Sequence, residues 1–291
     1  AVQGRRWTTV ETCTLLLAPA SVVCVFMGQN GLLSAALLIG GLQLLDRRPV
    51  IAGVLLGLLC FKPQLGLLVP VALVAARLWR PLLSATVTTA VVLALSVAIF
   101  GTESWVSFFE VTTAYQTQLL GQADGLFLNI VVTPYMSARL LGLDVPVRYL
   151  LQALFVLCAV AGVYAAYRKE VGRPLQTVVL LAGVFLASPY GYHYDLPLVA
   201  AGAAWAYKHA LEAGFLPGER TVLALVWLLP LLVVFLNPMG LPIAPLVLAA
   251  FFGLVLARAC GWVRRPSAPS SAQVPGPGPH LGVGAFEPKR S

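Results

Sequence analysis

The sequence predicts an all-α, polytopic helical membrane protein, and its composition and hydropathy carry this prediction. Hydrophobic residues make up 59% of the 291 residues and charged residues only 10%, against roughly 25% charged residues in an average soluble domain. Apolar runs such as 82–100 and 149–167 are nearly free of charge, and each approaches the roughly 20 residues that a bilayer-spanning helix needs. We therefore expect the lipid bilayer to be the solvent of most of the chain.

About ten transmembrane or re-entrant helices are predicted, in one membrane domain over residues 1–263. The apolar segments lie at 9–27, 30–45, 50–61, 65–79, 82–100, 149–167, 175–191, 196–207, 221–236 and 243–258. Residues 264–291 are rich in Pro, Ser and Gly, which predicts a disordered tail. The chain starts without methionine, and we interpret the membrane domain as N-terminally incomplete.

The basic residues are distributed unequally between the two sides of the membrane. If every segment crosses, one side receives Arg5, Arg6, Arg47, Arg48, Arg77, Arg80, Arg168, Lys169, Arg173, Lys208, Arg220, Arg258, Arg264 and Arg265. The other side receives Lys62, Arg139 and Arg148. Because basic loops stay in the cytoplasm, both chain ends are predicted to be cytoplasmic.

The segment L-L-C-F-K-P-Q-L-G-L (58–67) places Lys62 inside an apolar run. A single helix over 50–79 would put Arg47 and Arg77 on opposite sides, whereas a helical hairpin that turns at Lys62-Pro63-Gln64 keeps both inside. Proline favours a helix end at this position. Lys62 then lies near the outer face, either as a lysine that extends to the interface or as a cation that binds an anion.

Two polar loops share the predicted outer side with Lys62. Residues 28–31 are G-Q-N-G, and residues 188–195 are S-P-Y-G-Y-H-Y-D. Interfacial anchoring explains the tyrosines but not His193 and Asp195. The candidate site residues are Lys62 and His193 for the phosphate of a ligand, Asp195 in a supporting role, and Gln29, Asn30, Gln64 and Tyr192 for the rest of that ligand.

Segment 127–143 is apolar enough to resemble a further crossing. A single extra crossing would place Arg168 and Lys169 outside, so we interpret this segment as interfacial or re-entrant.

The pattern excludes several function classes. There is no clustered basic face on a soluble module, so no nucleic-acid partner is predicted. There is no Walker P-loop, dinucleotide fingerprint or H-E-x-x-H motif, and the five cysteines form no C-x-x-C pair; we predict no cofactor and no metal. A cation, a histidine, amides and carboxylates beside apolar surface suit a ligand with a lipid tail, a phosphate and a sugar.

The segments G-Q-N-G-L-L-S-A-A-L-L-I-G-G-L (28–42), R-R-P-V-I-A-G-V-L-L-G-L-L-C-F-K-P-Q-L-G-L-L-V-P (47–70), R-L-W-R (77–80) and S-P-Y-G-Y-H-Y-D-L-P-L (188–198) carry a family resemblance. Over roughly 9–260 the sequence resembles glycosyltransferase family 87, a group of integral-membrane GT-C enzymes related to bacterial mannosyltransferases. The K-P-Q and G-Q-N-G elements are the specific part of this resemblance.

The resemblance implies inverting transfer of a sugar, with mannose the expected one, from a polyprenyl-phosphate donor to a lipid or envelope glycan acceptor. It also implies a location in the bacterial inner membrane, with catalysis on the outer face. The family's expected base is an aspartate in a first external loop, for which this sequence has no matching stretch. The catalytic base is therefore unknown, and the chain by itself is expected to be inactive if it lacks that loop. The alternatives are a secondary transporter, for which related halves with two broken helices would be expected, and a non-catalytic membrane scaffold.

Overall fold

The computed structural model describes residues 9–112, 114–115, 118, 126–169 and 171–261. These residues form helices and no β-strand, apart from an isolated antiparallel bridge between Val131 and Tyr192. The predicted all-α fold is confirmed. The predicted tail at 264–291 lies outside the described residues, as do Arg5, Arg6, Arg264 and Arg265.

The helices are named here in chain order, and short 3₁₀ or π turns follow several of them. Their bounds are α1 Thr9–Leu16, α2 Pro19–Phe26, α3 Gly31–Leu44, α4 Pro49–Leu58, α5 Pro63–Gly66, α6 Leu68–Ala75, α7 Trp79–Ser107, α8 Leu126–Asn129, α9 Pro134–Leu140, α10 Val145–Arg168, α11 Arg173–Ala187, α12 Pro197–Ala213, α13 Glu219–Leu236 and α14 Ala244–Cys260.

In the described part of the chain, three helical segments are long and apolar enough to cross a membrane, at Trp79–Thr112, Val145–Arg168 and Glu219–Met239. Five further apolar helices are shorter, with 10–17 residues each. The predicted count of about ten transmembrane or re-entrant helices is therefore not confirmed. Segment 9–27 is also not one helix. Two residues, Leu17 and Ala18, separate the end of α1 from the start of α2 at Pro19, because proline lacks an N–H and restricts the residue before it.

Helix α11 forms the centre of the bundle. Every residue from Gln176 to Ala187 in this helix is buried. A helix that is apolar on all sides is stable only when other helices surround it. Here α6, α10, α12 and α14 pack around α11, so the loop that follows α11 is attached to the most deeply buried helix.

The predicted hairpin at Lys62 is present. Helix α4 ends at Leu58, a 3₁₀ turn covers Leu59–Phe61, and α5 starts at Pro63. The Ser84 hydroxyl donates to the Val50 carbonyl (2.8 Å), and the Thr89 hydroxyl donates to the Gly57 carbonyl (3.1 Å). The later residue of α4 thus contacts the later residue of α7. These two helices are parallel, and the chain between them must therefore reverse its direction. Lys62 lies at that reversal.

Small residues allow α4 and α7 to approach closely. An added Cβ at Gly57 would lie 2.5 Å from the Ala85 carbonyl oxygen and 2.7 Å from the Thr88 Cβ. Gly53, one turn earlier, faces Pro81 and Ser84 in the same way. Glycines four residues apart are a common contact between helices in membranes, where close van der Waals packing replaces the hydrophobic effect.

One end of the bundle carries the basic residues, and we call it the basic end. The Arg173 guanidinium binds the Asp46 carboxylate, with Nη2 2.8 Å from Oδ1. Lys169 Nζ donates to the Cys260 carbonyl (3.0 Å). Arg258 pairs with the buried Glu219 carboxylate, with Nε 2.7 Å from Oε1. Arg258 also donates to the Gly214 carbonyl after α12 (2.6 Å). These contacts bring the ends of α3, α10, α12 and α14 together with the starts of α11 and α13, while Lys62 lies at the opposite end.

Segment 127–143 is not a spanning helix. It consists of the short α8, a non-helical stretch at 130–133, and α9 with 7 residues. The Val132 N–H donates to the Gly191 carbonyl (3.1 Å), and the His193 N–H donates to the Ile130 carbonyl (2.9 Å). The segment thus packs on the tyrosine-rich loop at the end opposite the basic end.

Candidate functional site

An ion pair joins two of the predicted site residues. Lys62 Nζ lies 2.6 Å from Asp195 Oδ1, and the side chains are 13% and 2% exposed. Lys62 follows the break in the hairpin, where its backbone (φ −132°, ψ 69°) is not helical. Asp195 ends a 3₁₀ turn, His193–Asp195, directly before α12. The sequence predicted both positions separately but did not predict that they would bind each other.

The loop that presents Asp195 is held by its own polar groups and by the neighbouring segment. The Ser188 hydroxyl donates to the Tyr190 carbonyl (2.6 Å) and accepts from the Tyr190 N–H (3.1 Å). The backbone pairing of 191–193 with 130–132 fixes the next residues. The carboxylate is therefore held on an ordered backbone at the start of a helix, an arrangement that favours a fixed position.

The turn 28–31 packs directly against this loop. An added Cβ at Gly31 would meet the Tyr194 carbonyl oxygen, would lie 3.0 Å from Cys24 Sγ, and would lie 3.3 Å from the Asp195 Cα. Only glycine allows the start of α3 to come this close to the backbone beside Asp195. The G-Q-N-G turn and the H-Y-D turn thus form one site at the end of the bundle that carries Lys62.

Aromatic rings form the surroundings of the ion pair. The rings of Tyr192 and Tyr194 are stacked, with centroids 5.1 Å apart and an interplanar angle of 17°. Lys62 Nζ lies 5.6 Å from the centroid of the Tyr194 ring, within the range of a cation–π contact. Phe127 contacts Tyr192 edge-on at 5.3 Å. The ammonium group is thus held by a carboxylate and by an aromatic face.

His193 is buried and is 3% exposed. Its Nδ1 has no hydrogen-bond partner among the described residues, so Asp195 does not orient the ring through this atom. Burial lowers the pKa of His193 from 6.5 to about 4, and the backbone contact with Ile130 opposes this only in part. The imidazole is therefore neutral at pH 7 and carries one N–H donor.

Two opposing effects act on the pKa of Asp195. Burial raises the pKa of the carboxyl group, and the hydrogen bond and positive charge of Lys62 lower it. Burial also raises the pKa of Tyr192 to about 12, so its phenol stays protonated. The site thus offers a lysine, a protonated tyrosine and a neutral histidine, which together can bind an anion or the hydroxyls of a sugar.

The remaining predicted residues lie in the same region. Gln29 and Asn30 are exposed in the turn directly before Gly31. Gln64 is half-buried in α5, two residues after Lys62. The structure thus brings the hairpin tip, the 28–31 turn and the 192–195 loop together, with Lys62 and Asp195 in direct contact.

Sequence reasoning did not identify several residues that hold the site. The sequence predicts only interfacial anchoring for Tyr194, although this residue contacts both Lys62 and Tyr192. Asn237 Nδ2 donates to the carbonyls of Asn129 (3.2 Å) and Val131 (3.1 Å), and these bonds attach the 3₁₀ turn after α13 to the segment beside the site. Gln152 accepts from the Tyr135 N–H (3.1 Å) and donates to the Leu186 carbonyl (3.0 Å). A glutamine inside an apolar helix was the available signal for this last contact.

Comparison with known proteins gives a family and no individual relative. Neither a curated protein nor a solved structure matches the chain significantly. A family model does match, over residues 2–189. The matched range contains the 28–31 turn, Lys62 and Gln64 but ends before Tyr192, His193 and Asp195. It covers well over half of the 291 residues, and the chain therefore belongs to glycosyltransferase family 87.

Proposed function

We propose that the protein takes part in the transfer of a sugar, with mannose the expected one, from a polyprenyl-phosphate donor to a lipid or envelope glycan acceptor at the outer face of the bacterial inner membrane. The acceptor hydroxyl oxygen attacks the anomeric carbon and gives its proton to a base. The bond between that carbon and the phosphate oxygen breaks, and polyprenyl phosphate leaves with the electron pair. Attack from the opposite face inverts the anomeric configuration.

The buried ion pair is the observation that carries this proposal. A lysine with 13% exposure at the tip of a membrane hairpin needs a counter-ion, and Asp195 is that counter-ion when no ligand is bound. Lysine is a common point-charge ligand for phosphate. We assign the donor phosphate to Lys62, with the neutral His193 as a second hydrogen-bond donor.

The negative charge on the phosphate grows as the glycosidic bond breaks. Groups already fixed beside the developing charge stabilise the transition state more than the ground state. Asp195 takes a supporting role and holds Lys62 in place. We do not assign it as the base, because its Oδ1 accepts from Lys62. Tyr192, Gln29, Asn30 and Gln64 are assigned to the sugar and acceptor hydroxyls.

Apolar surface beside the site supports a lipid-linked donor. Phe61, directly before Lys62, is 43% exposed, and Phe26 and Met27, directly before the 28–31 turn, are 89% and 39% exposed. Exposed aromatic and apolar side chains beside a charged site suit a ligand whose tail stays in hydrocarbon. A polyprenyl chain fits this requirement.

The test is transfer of labelled sugar from polyprenyl phosphate, measured in membranes that contain the protein together with the external loop expected to carry the catalytic aspartate. Lys62→Met keeps the hairpin tip apolar and removes the charge. We expect it to lower turnover by about 10²–10³-fold, as the loss of one preorganised charge-stabilising donor does. Lys62→Arg should recover part of the activity, since the guanidinium is broader and differently hydrated.

Lys169→Met is the matched control. It also removes a lysine that donates a hydrogen bond, but at the basic end, and it should retain parental turnover once the amount of folded protein is equalised. Parental turnover by Lys62→Met would contradict the phosphate assignment. Lack of transfer with every donor tested, by a protein that also contains the external loop expected to carry the catalytic aspartate, would contradict the enzymatic proposal itself.

A further inference from the structure

A groove at the basic end lies far from the candidate site. It has a volume of about 970 Å³ and is formed by α1, α12, α13 and the loop between α12 and α13. This is at the upper end of the 300–1,000 Å³ that ligand pockets usually occupy. Most of its described lining residues are apolar, including Leu15, Ala203, Leu223 and Leu228.

Two basic side chains, Lys208 and Arg220, belong to the lining, and none of the described lining residues is acidic. The guanidinium of Arg220 lies over the ring of Phe215, 4.5 Å from its centroid, and this cation–π contact holds the charge beside the groove. The Tyr207 ring also packs against Phe215, with ring centroids 5.6 Å apart. The positive charge is therefore positioned by aromatic side chains.

The two cations lie at the basic end of the bundle, which we expect at the level of the lipid headgroups because basic residues gather at the membrane surface. Arg220 directly follows Glu219, whose carboxylate binds Arg258 at the basic end. Lys208 lies in the last turns of α12, near Gly214, whose carbonyl accepts from Arg258 (2.6 Å). From there α13 carries Trp227 and Leu228 towards the bilayer centre. The groove is thus cationic at headgroup depth and apolar further in.

We infer that this groove binds one anionic phospholipid of the leaflet at the basic end. The lipid phosphate is placed between Lys208 and Arg220, and an acyl chain lies along Leu223, Trp227 and Leu228. Basic pockets between membrane helices are suited to anionic headgroups, because attraction to the charge adds to burial of the chain. An uncharged lipid would gain only from burial of its acyl chain. The binding is separate from sugar transfer and does not depend on it.

The experiment is native mass spectrometry of the purified 291-residue chain after exchange into phosphatidylglycerol or phosphatidylcholine. We expect the parental protein to retain one phosphatidylglycerol molecule and to retain phosphatidylcholine much less. The double variant Lys208→Gln/Arg220→Gln should weaken phosphatidylglycerol retention about 30-fold, the combined effect of two basic residues at a membrane surface. Arg47→Gln/Arg48→Gln removes the same charge at the same end outside the groove and should retain the lipid.

A second variant tests the apolar part of the groove without changing its charge. Ala224 is exposed within the groove, so Ala224→Trp fills it and should displace the lipid. Ala94→Trp introduces the same side chain on the exposed face of α7 and should not. Equal retention of both lipids, no retention by the parental protein, or equal retention by the charge variant and its control would overturn the inference. Equal retention by Ala224→Trp and Ala94→Trp would likewise show that the lipid binds elsewhere.

Discussion

The ammonium group of Lys62 lies 2.6 Å from the carboxylate of Asp195, although 133 positions separate the two residues in the sequence. Each residue follows an interruption of an apolar helix, one at the tip of a hairpin and the other between α11 and α12. Both side chains are largely withdrawn from water. Removal of one partner of such an ion pair destabilises the protein, because the remaining buried charge is left without a partner.

The ion pair leads to the first prediction, which concerns Asp195→Asn. A donor phosphate must compete with the carboxylate for Lys62, so removal of the negative charge should strengthen binding of polyprenyl phosphate. We expect about tenfold tighter binding, the equivalent of one hydrogen bond to a charged group. Turnover should fall less than in Lys62→Met. Inhibition of sugar transfer by added polyprenyl phosphate measures the affinity.

The same variant should be less stable without ligand, because Lys62 loses its counter-ion. Its midpoint of thermal unfolding should rise more than the parental midpoint when polyprenyl phosphate is added. Weaker binding by Asp195→Asn would show that the carboxylate helps to build the phosphate site rather than competing with the ligand.

The pairing of Lys62 with Asp195 also shows the limit of the sequence prediction. The hairpin was predictable because K-P-Q interrupts an apolar run and because Arg47 and Arg77 had to share one side. Which external loop would face Lys62 was not predictable, since hydropathy fixes depth in the membrane and not the neighbours around the bundle. The contact between Gly31 and the Tyr194 carbonyl depends on helix packing in the same way.

Helix boundaries were predicted well for isolated apolar runs and less well where proline divides them. Segment 149–167 corresponds to α10 and segment 221–236 to α13. Segment 9–27 was predicted as one crossing, but Pro19 starts a second helix. Segment 127–143 has the composition of a crossing, yet its backbone pairing with 191–193 divides it, and such long-range pairing leaves no local periodicity in the sequence.

The second prediction concerns Gly31→Ala. The added methyl group would collide with the Tyr194 carbonyl and press on Cys24, so the start of α3 must move away from Asp195. We expect a loss of stability of about 1–3 kcal/mol, as for other overpacked sites, and lower sugar transfer. Thermal unfolding in detergent and the transfer assay measure these effects.

Gly40→Ala is the control on the same helix, because its added Cβ would make an ordinary 3.5 Å contact with Leu55. It should be neutral or stabilising by up to about 1 kcal/mol, the difference in helix propensity. Similar effects of the two substitutions would contradict a specific contact at Gly31.

The third prediction follows from the lowered pKa of His193. The ordinary value is 6.5, and burial lowers it to about 4 in the folded protein. Between these values the unfolded chain binds the proton more strongly, so the contribution of His193 to stability is complete above pH 6.5 and is lost as the pH falls towards 4. The midpoint of thermal unfolding should therefore decrease from pH 7 to pH 5 by less in His193→Gln than in the parental protein.

His209→Gln removes a histidine from α12 instead and leaves His193 in place, so it is the control for the substitution itself. The raised pKa of Asp195 acts in the opposite sense, because the folded protein then holds the proton more strongly than the unfolded chain does. Because Asp195 is present in both, the difference between His193→Gln and the parental protein gives the contribution of His193 to the pH dependence of stability. An unchanged slope in His193→Gln would mean that His193 is protonated in the folded protein.

The fourth prediction is the orientation in the membrane. We expect the basic end in the cytoplasm and the end with Lys62, His193 and Asp195 outside, because basic loops are retained in the cytoplasm. Met239 is 70% exposed next to the site end, and Glu212 is exposed at the basic end. Single cysteines at these two positions, in a chain whose five native cysteines are replaced, report the two sides.

An impermeant thiol reagent should label Met239→Cys on intact cells and Glu212→Cys only after the membrane is permeabilised. Gln64→Cys should follow Met239→Cys, although more slowly because Gln64 is half-buried. Labelling of Glu212→Cys on intact cells, with Met239→Cys protected, would invert the orientation. The site would then face the cytoplasm, where a nucleotide sugar rather than a polyprenyl-phosphate sugar would be the donor to test first.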